Sequence, residues 1–186
     1  MAYYTEQELD SFKFKYLGKN IKISKDAKIY EPENMSIDDN SRIDDFCILS
    51  GHITIGKYVH ITPMCLIAGG EQGVIIEDYC TLAYGVKVFS QSDDYSGESM
   101  VNSLIPKKFK NELFSSVKIE KYAIIGTNST IMPGVTVKEG CAIGAMTLVH
   151  KTTESWCVYV GSPAKKLKSR SKNLLKLERS FRHENP

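Results

Sequence analysis

IGTNSTIMPGVTVKEGCAIGAMTLV, residues 125–149, carries an aliphatic residue at every sixth position: Ile125, Ile131, Val137, Ile143 and Val149. Working outward, the same step reaches back to Ile119 and reappears upstream at Ile37, Ile43, Leu49, Ile55, Ile61 and Ile67. A shorter run, Ile23 and Ile29, precedes it. The series slips at AGGEQG (68–73), resumes at Ile76, Leu82 and Val88, and breaks for a polar segment before Ile119. A period of six is not that of an amphipathic helix, whose apolar face returns every three to four residues. Nor is it the strict alternation of a half-exposed strand. It suits a short strand plus a turn. Three such segments close one triangular coil, and coils stack about 4.8 Å apart through strand pairing. The spacing therefore predicts an all-β chain, a parallel β-helix.

The other hexad positions agree. One residue after the leading aliphatic come small or acidic residues such as Asp44, Gly56, Gly126 and Gly144. Four after it come small or β-branched ones, and Cys47, Cys65, Cys80 and Cys141 fall on that position. Small buried groups in a narrow coil account for four of the five cysteines. An odd count without a C-x-x-C pair argues against a disulfide framework or zinc ribbon.

Bare coil ends invite further pairing, so caps are expected. Thr5-Glu6-Gln7-Glu8 has capping-box spacing and predicts a short helix within an N-terminal cap, 1–18. The β-helix then spans 19–162, with a projecting loop at about 89–116. Pro163 suits the first turn of a basic C-terminal helix reaching about Phe181, within a segment 163–186. The 186 residues suffice for one domain. A net charge of +2 does not point to a nucleic-acid or membrane partner. No apolar run is long enough for a transmembrane helix, and the polar N-terminus lacks a signal-peptide core, so a cytoplasmic location is expected.

The hexads and the closing stretch 125–168 resemble the hexapeptide-repeat acyltransferases. The I-G-x-x-x-x-I-x-P-G-V-x-V run at 125–137, and Val149, Lys151 and Gly161–Ala164, carry that resemblance. YVHITPMC (58–65) and SDDYSG (92–97) resemble the sugar acetyltransferases of surface-polysaccharide biosynthesis within the family. The resemblance implies a left-handed β-helix, a homotrimer with active sites between subunits, and acetyl-CoA as co-substrate. It implies a sugar or nucleotide-sugar acceptor, O- or N-acetylated. It places Thr127 and Ala145 along the pantetheine arm, and His150, Lys151 and Lys165 toward the phosphates and adenine of coenzyme A. No metal is implied.

Acyl transfer needs a group to take the acceptor's proton. Relatives place a histidine in the loop leaving the coil, but residues 86–97 contain none. His60 in GKYVHITP is one candidate base, since a neutral imidazole suits a sugar hydroxyl. Asp93 and Asp94 are the others, either as bases or as acceptors of sugar hydrogen bonds, with Ser92 and Tyr95 beside them as substrate contacts. An amine acceptor would need no strong base. Two rival readings stand beside this one. A zinc site on the same scaffold needs three histidines, and the H-x4-H spacing is missing. A catalytically inactive trimeric scaffold, with its basic tail on an acidic partner, would explain the missing loop histidine.

Overall fold

A computed structural model describes residues 2–184. The leading residues named above, from Ile37 to Val149, are all buried in one continuous core. Sealing each isoleucine contributes about 1.5–3 kcal/mol, and no single coil could do so alone. Cys47, Cys65, Cys80 and Cys141 are buried thiols in this column. Cys47 donates to Thr62 O at 3.1 Å and Cys80 to Glu120 O at 3.2 Å, so each sulfur helps fasten one coil to the next.

The chain winds through three faces. One is a parallel ladder of Lys22–Ile23, Arg42–Ile43, His60–Ile61, Thr81–Leu82, Ile124–Ile125, Ala142–Ile143 and Cys157–Val160. The second stacks Lys28–Tyr30 on the start of Ile48–Ile55, then on the start of Leu66–Ile76, Lys87–Phe89, Thr130–Ile131 and Leu148–Val149. The third stacks Tyr16–Leu17 on Met35–Ile37, then on the ends of Ile48–Ile55 and Leu66–Ile76, Val117–Ile119 and Thr136–Val137. The slip at 68–73 lies where Ile48–Ile55 and Leu66–Ile76 run unbroken around a corner, with register shifts beside Gly51. A Cβ on Gly51 would come within 2.4 Å of Gly70 N, so the strands approach too closely for side chains there.

Corners are turned by the third residue after each leading aliphatic. Phe46, Tyr58, Met64, Tyr79, Tyr122 and Met146 all take left-handed backbone, φ 55–66°. At one corner Tyr58, Tyr79, Tyr122 and Trp156 form an aromatic ladder, with centroids 5.3, 5.6 and 6.1 Å apart. At another, Phe46, Met64, Tyr84 and Met146 form a ridge, each more than half exposed.

The expected N-terminal helix forms: α1, Glu6–Asp10, begins at Thr5 with a full capping box and buries Leu9. The C-terminal expectation needs correction. Residues following Pro163 do not enter a helix. Lys165–Ser169 runs antiparallel to Cys157–Val160, and the helix, α2, spans Leu174–Glu184. A helix at 165–169 would have left the last coil's edge unpaired; the strand satisfies it. Arg170 then donates to Tyr122 O and Gly140 O at 2.9 and 3.0 Å. Phe181 meets Tyr58 edge-on at 5.2 Å, and Tyr122 donates to Glu178 at 2.9 Å, which holds α2 against the ladder.

Candidate active site

The loop leaves the β-helix as a two-stranded ribbon. Gln91 pairs with Phe114 and Ser92 with Leu113, antiparallel. Its root is tied down by Ser115 N to Ser90 O, 2.9 Å, and by the buried Ser90 hydroxyl, which reaches Ala68 O and Gly69 O. Residues directly opposite in such a ribbon share a side, and neighbours alternate. The Ser92–Leu113 pair therefore faces one way and the Gln91–Phe114 pair the other.

On the Ser92 side lie two adjoining cavities of about 640 and 460 Å³. Both are lined by Ser92, Asp93, Tyr95, Glu112 and Met132. The first has an apolar floor of Ile48, Leu66, Ala68 and Phe89. The second continues along the coils to Pro133 and His150. Of the charged residues lining either cavity, all are carboxylates: Asp93, Asp94 and Glu112. Glu112 is held by Lys110 at 2.9 Å, and the lysine side chain is only 7% exposed.

The adjacent aspartates have different surroundings. Asp94 Oδ1 accepts from Ser96 N at 2.8 Å, and Oδ2 from Ser99 N at 3.1 Å and Ser99 Oγ at 2.7 Å. The backbone N–H of Ser96 and the Ser96 and Ser99 side chains hold its pKa down to about 2. That makes Asp94 a staple of the loop and a poor base. Asp93 receives one long bond, from Asn102 N at 3.4 Å, and lines both cavities.

His60 lies on a different face, in the His60–Ile61 strand, and is absent from the lining of both cavities. Its Nε2 is 2.9 Å from Asp44 Oδ2, and Asp44 Oδ1 accepts from Arg42 at 2.6 Å and Tyr3 at 3.2 Å. Burial raises the Asp44 pKa, but the Arg42 and His60 hydrogen bonds outweigh it and the net shift is downward. An ionised Asp44 thus orients the imidazole and leaves Nδ1 for another partner.

The residues assigned to the coenzyme occupy the last coils. Thr127 and Ala145 are in equivalent corners of successive coils, joined by Met146 N to Thr127 O at 2.8 Å. A Cβ on Gly126 would lie 2.5 Å from Ala145 N, so only glycine allows this approach. Lys151 is exposed beside His150, and Lys165 opens the edge strand. Within this one chain His150 joins the loop residues at a cavity; Thr127, Ala145, Lys151, Lys165 and His60 do not. No group of three metal-ligating side chains is clustered among the described residues.

Comparison with known proteins identifies the scaffold. Residues 116–151 match the model for the bacterial transferase hexapeptide (six repeats). The chain is 42% identical over 185 residues to the dTDP-4-amino-4,6-dideoxy-D-glucose acyltransferase of Escherichia coli, spanning 98% of this chain and 96% of that protein. It belongs to the hexapeptide-repeat acyltransferases. AntD, an N-acyltransferase from Bacillus cereus, superposes with a TM-score of 0.98 at 40% identity over 100% of both chains, in a complex with dTDP and 3-hydroxybutyryl-CoA. A variant of AntD bound to dTDP-4-amino-4,6-dideoxyglucose and coenzyme A matches at 0.97 and 41%, over 98% of each chain. The β-helix is accordingly the left-handed one of this acyltransferase family. Glu112, Gln91 and Phe114 went unread in the sequence. Their signal was the ribbon register, which needs both ends of a long loop to be paired first.

Proposed function

We propose that this protein transfers an acyl group from a coenzyme A thioester to the amino group of a nucleotide-linked deoxyamino sugar, in polysaccharide biosynthesis. The observation that carries the reading is the all-carboxylate charge lining of cavities with an apolar floor. An amino sugar arrives as an ammonium ion, and carboxylates attract and align it; an apolar floor suits a deoxy carbon. The E. coli relative's name and the sugar bound to AntD point to the same acceptor class.

The chemistry needs little from the protein beyond placement. The ammonium ion sheds a proton, and the neutral amine attacks the thioester carbonyl. A C–N bond forms, the C–S bond breaks, and the departing sulfur takes up the second proton that the nitrogen loses, giving the free thiol. Asp93 is the group placed to receive the amine's proton. Thr127 and Ala145 line the path of the pantetheine arm, and His150, Lys151 and Lys165 face the nucleotide end of the coenzyme, with the lysines attracting its phosphates. Acetyl-CoA is the first donor to test, with 3-hydroxybutyryl-CoA beside it.

The working unit in this reading is a homotrimer. Its support is the ridge of Phe46, Met64, Tyr84 and Met146, 58–69% exposed along one corner, which a second copy would cover. His60 shares a coil with Met64, so it stands beside that junction as a contact to a neighbouring subunit's site. No helix among the described residues is long and apolar enough to cross a membrane. Five unpaired cysteines suit a reducing cytoplasm.

The test is thiol release from acetyl-CoA in the presence of dTDP-4-amino-4,6-dideoxyglucose, run against the 4-hydroxy sugar. Turnover with the amino sugar alone supports N-acylation. Turnover with the hydroxy sugar alone would refute it.

A further inference from the structure

Leu174, Leu177 and Phe181 are spaced along one face of α2, and all three line a cavity between that helix and the β-helix. A helix of this pattern ordinarily seals its apolar face against a core. Here no residue of α2 is buried. The helix is held off by two contacts, Phe181 on Tyr58 and Glu178 on the Tyr122 hydroxyl. The space left under it is about 430 Å³, within the range that takes a small molecule. Its wall on the coil side includes Ile124, which is 40% exposed. The cavity shares no lining residue with the two beneath the loop, and none with the positions assigned to the coenzyme.

We infer that this cavity binds a flat aromatic anion, which completes the seating of α2 on the coils. Tyr58, Tyr79 and Tyr122 all line it, and their rings are stacked, with interplanar angles of 4° and 11°. Stacked rings cover one another's faces and turn their edges to the groove. Ring edges carry the positive side of the quadrupole, which favours the face of another ring or an anion. The charges on the wall agree. Glu178 is already matched, accepting from Tyr122 at 2.9 Å and from Arg182 at 2.6 Å. Arg170 is the other charged residue there. Its Nη1 donates to the carbonyls of Tyr122, Gly140 and Cys141, which fixes the guanidinium without neutralising it. A fixed guanidinium on an apolar wall selects a carboxylate, sulfonate or phosphate. Leu174, Leu177 and Ile124 then cover the ring that carries it.

The probe is anilinonaphthalene sulfonate, with phenylnaphthylamine as its uncharged counterpart, added to the whole protein. Trp156, the single tryptophan, continues the ladder 6.1 Å from Tyr122 and reports an occupant by energy transfer. The expected result is saturable sulfonate binding that quenches Trp156 and slows amide exchange across 174–184. The uncharged probe should bind about tenfold more weakly, the loss of one charge-assisted contact. Leu177 is 64% exposed, so Leu177→Glu and Leu177→Lys should both keep the wild-type melting temperature. The glutamate should weaken the sulfonate about tenfold, and the lysine should keep or tighten it. Equal binding by the two variants, or equal binding of the two probes, would overturn the inference. So would displacement of the sulfonate by coenzyme A, which would make the cavity part of the donor site. No saturable quenching would also overturn it and leave the gap under α2 to a neighbouring subunit.

Discussion

In the coils at 125–149 every sixth side chain is sealed in the core, whereas from 91 to 116 no residue is buried. The coils are constrained by geometry: each inward position must be small enough to fit or large enough to fill, and the next coil repeats the demand. The loop answers to chemistry. Its order comes from hydrogen bonds such as those from Ser96 and Ser99 to Asp94, and its freedom leaves Asp93 available at a cavity wall. In the proposed reading a repeat and a loop in one chain divide stability from activity, and substitutions should separate the two.

The largest effect should fall on the coils. Ile131 is fully buried, and Ile131→Ala should cost about 2–5 kcal/mol through the cavity it leaves. Ile131→Asp, which buries a charge as well, should abolish the cooperative unfolding transition. Tyr95 in the loop is 91% exposed, and Tyr95→Ala should leave the melting temperature unmoved. Thermal unfolding followed by circular dichroism checks all three. A loop substitution as damaging as the core one would break the division.

The reverse asymmetry should appear in turnover. Asp93→Asn should lower kcat by about a hundredfold or more, the range of a proton-accepting group, while the melting temperature stays at the wild-type value. His60→Asn should cost less, because His60 lies on another face and lines neither cavity. Steady-state rates with the amino sugar measure both. Equal rates for Asp93→Asn and wild type would remove the carboxylate from the chemistry.

How much of this could be read beforehand follows the same division. The spacing of Ile125, Ile131 and Val137 exposed the coil because a triangular section leaves few options. The tyrosines at 58, 79 and 122 sit on the third position after each leading residue; the C-terminal helix is legible in the sequence, but its docking on them is not, because the contacting residues lie far apart in sequence. Residues 165–169 read locally as helix. Only the open edge of the last coil, a tertiary fact, turns them into a strand. Within the loop, neighbouring aspartates looked alike. Ser96 and Ser99 decide which one is tied, and Ser96, two residues on from Asp94, forms a turn contact of the kind Asp makes with its own backbone.

Between coil and loop stands the apolar ridge. Met64→Glu combined with Met146→Glu should leave the fold intact, since both residues are more than 60% exposed, yet dissociate the proposed trimer. Sedimentation velocity would show it as a fall to the monomer mass. Trimers that survive both charges would move the subunit contact to another face, and His60 with it.

The smallest effect belongs to Asp94, and its direction with pH is fixed. Its folded pKa, about 2, lies below the ordinary 3.8. A depressed carboxylate contributes loop order that is fully present above the ordinary value and lost as pH falls through the folded one. Amide exchange in 91–116 should therefore be insensitive to the carboxylate between pH 5 and 8. It should rise only as the solution is taken from about pH 4 toward 2, before the coils lose theirs. In Asp94→Asn one acceptor oxygen becomes a donor facing Ser96 or Ser99, so loop exchange should quicken at all pH values. The acceptor KM should rise by a few-fold with kcat nearly kept. A fall in kcat matching that of Asp93→Asn would mean that the staple and the reacting carboxylate had been assigned the wrong way round.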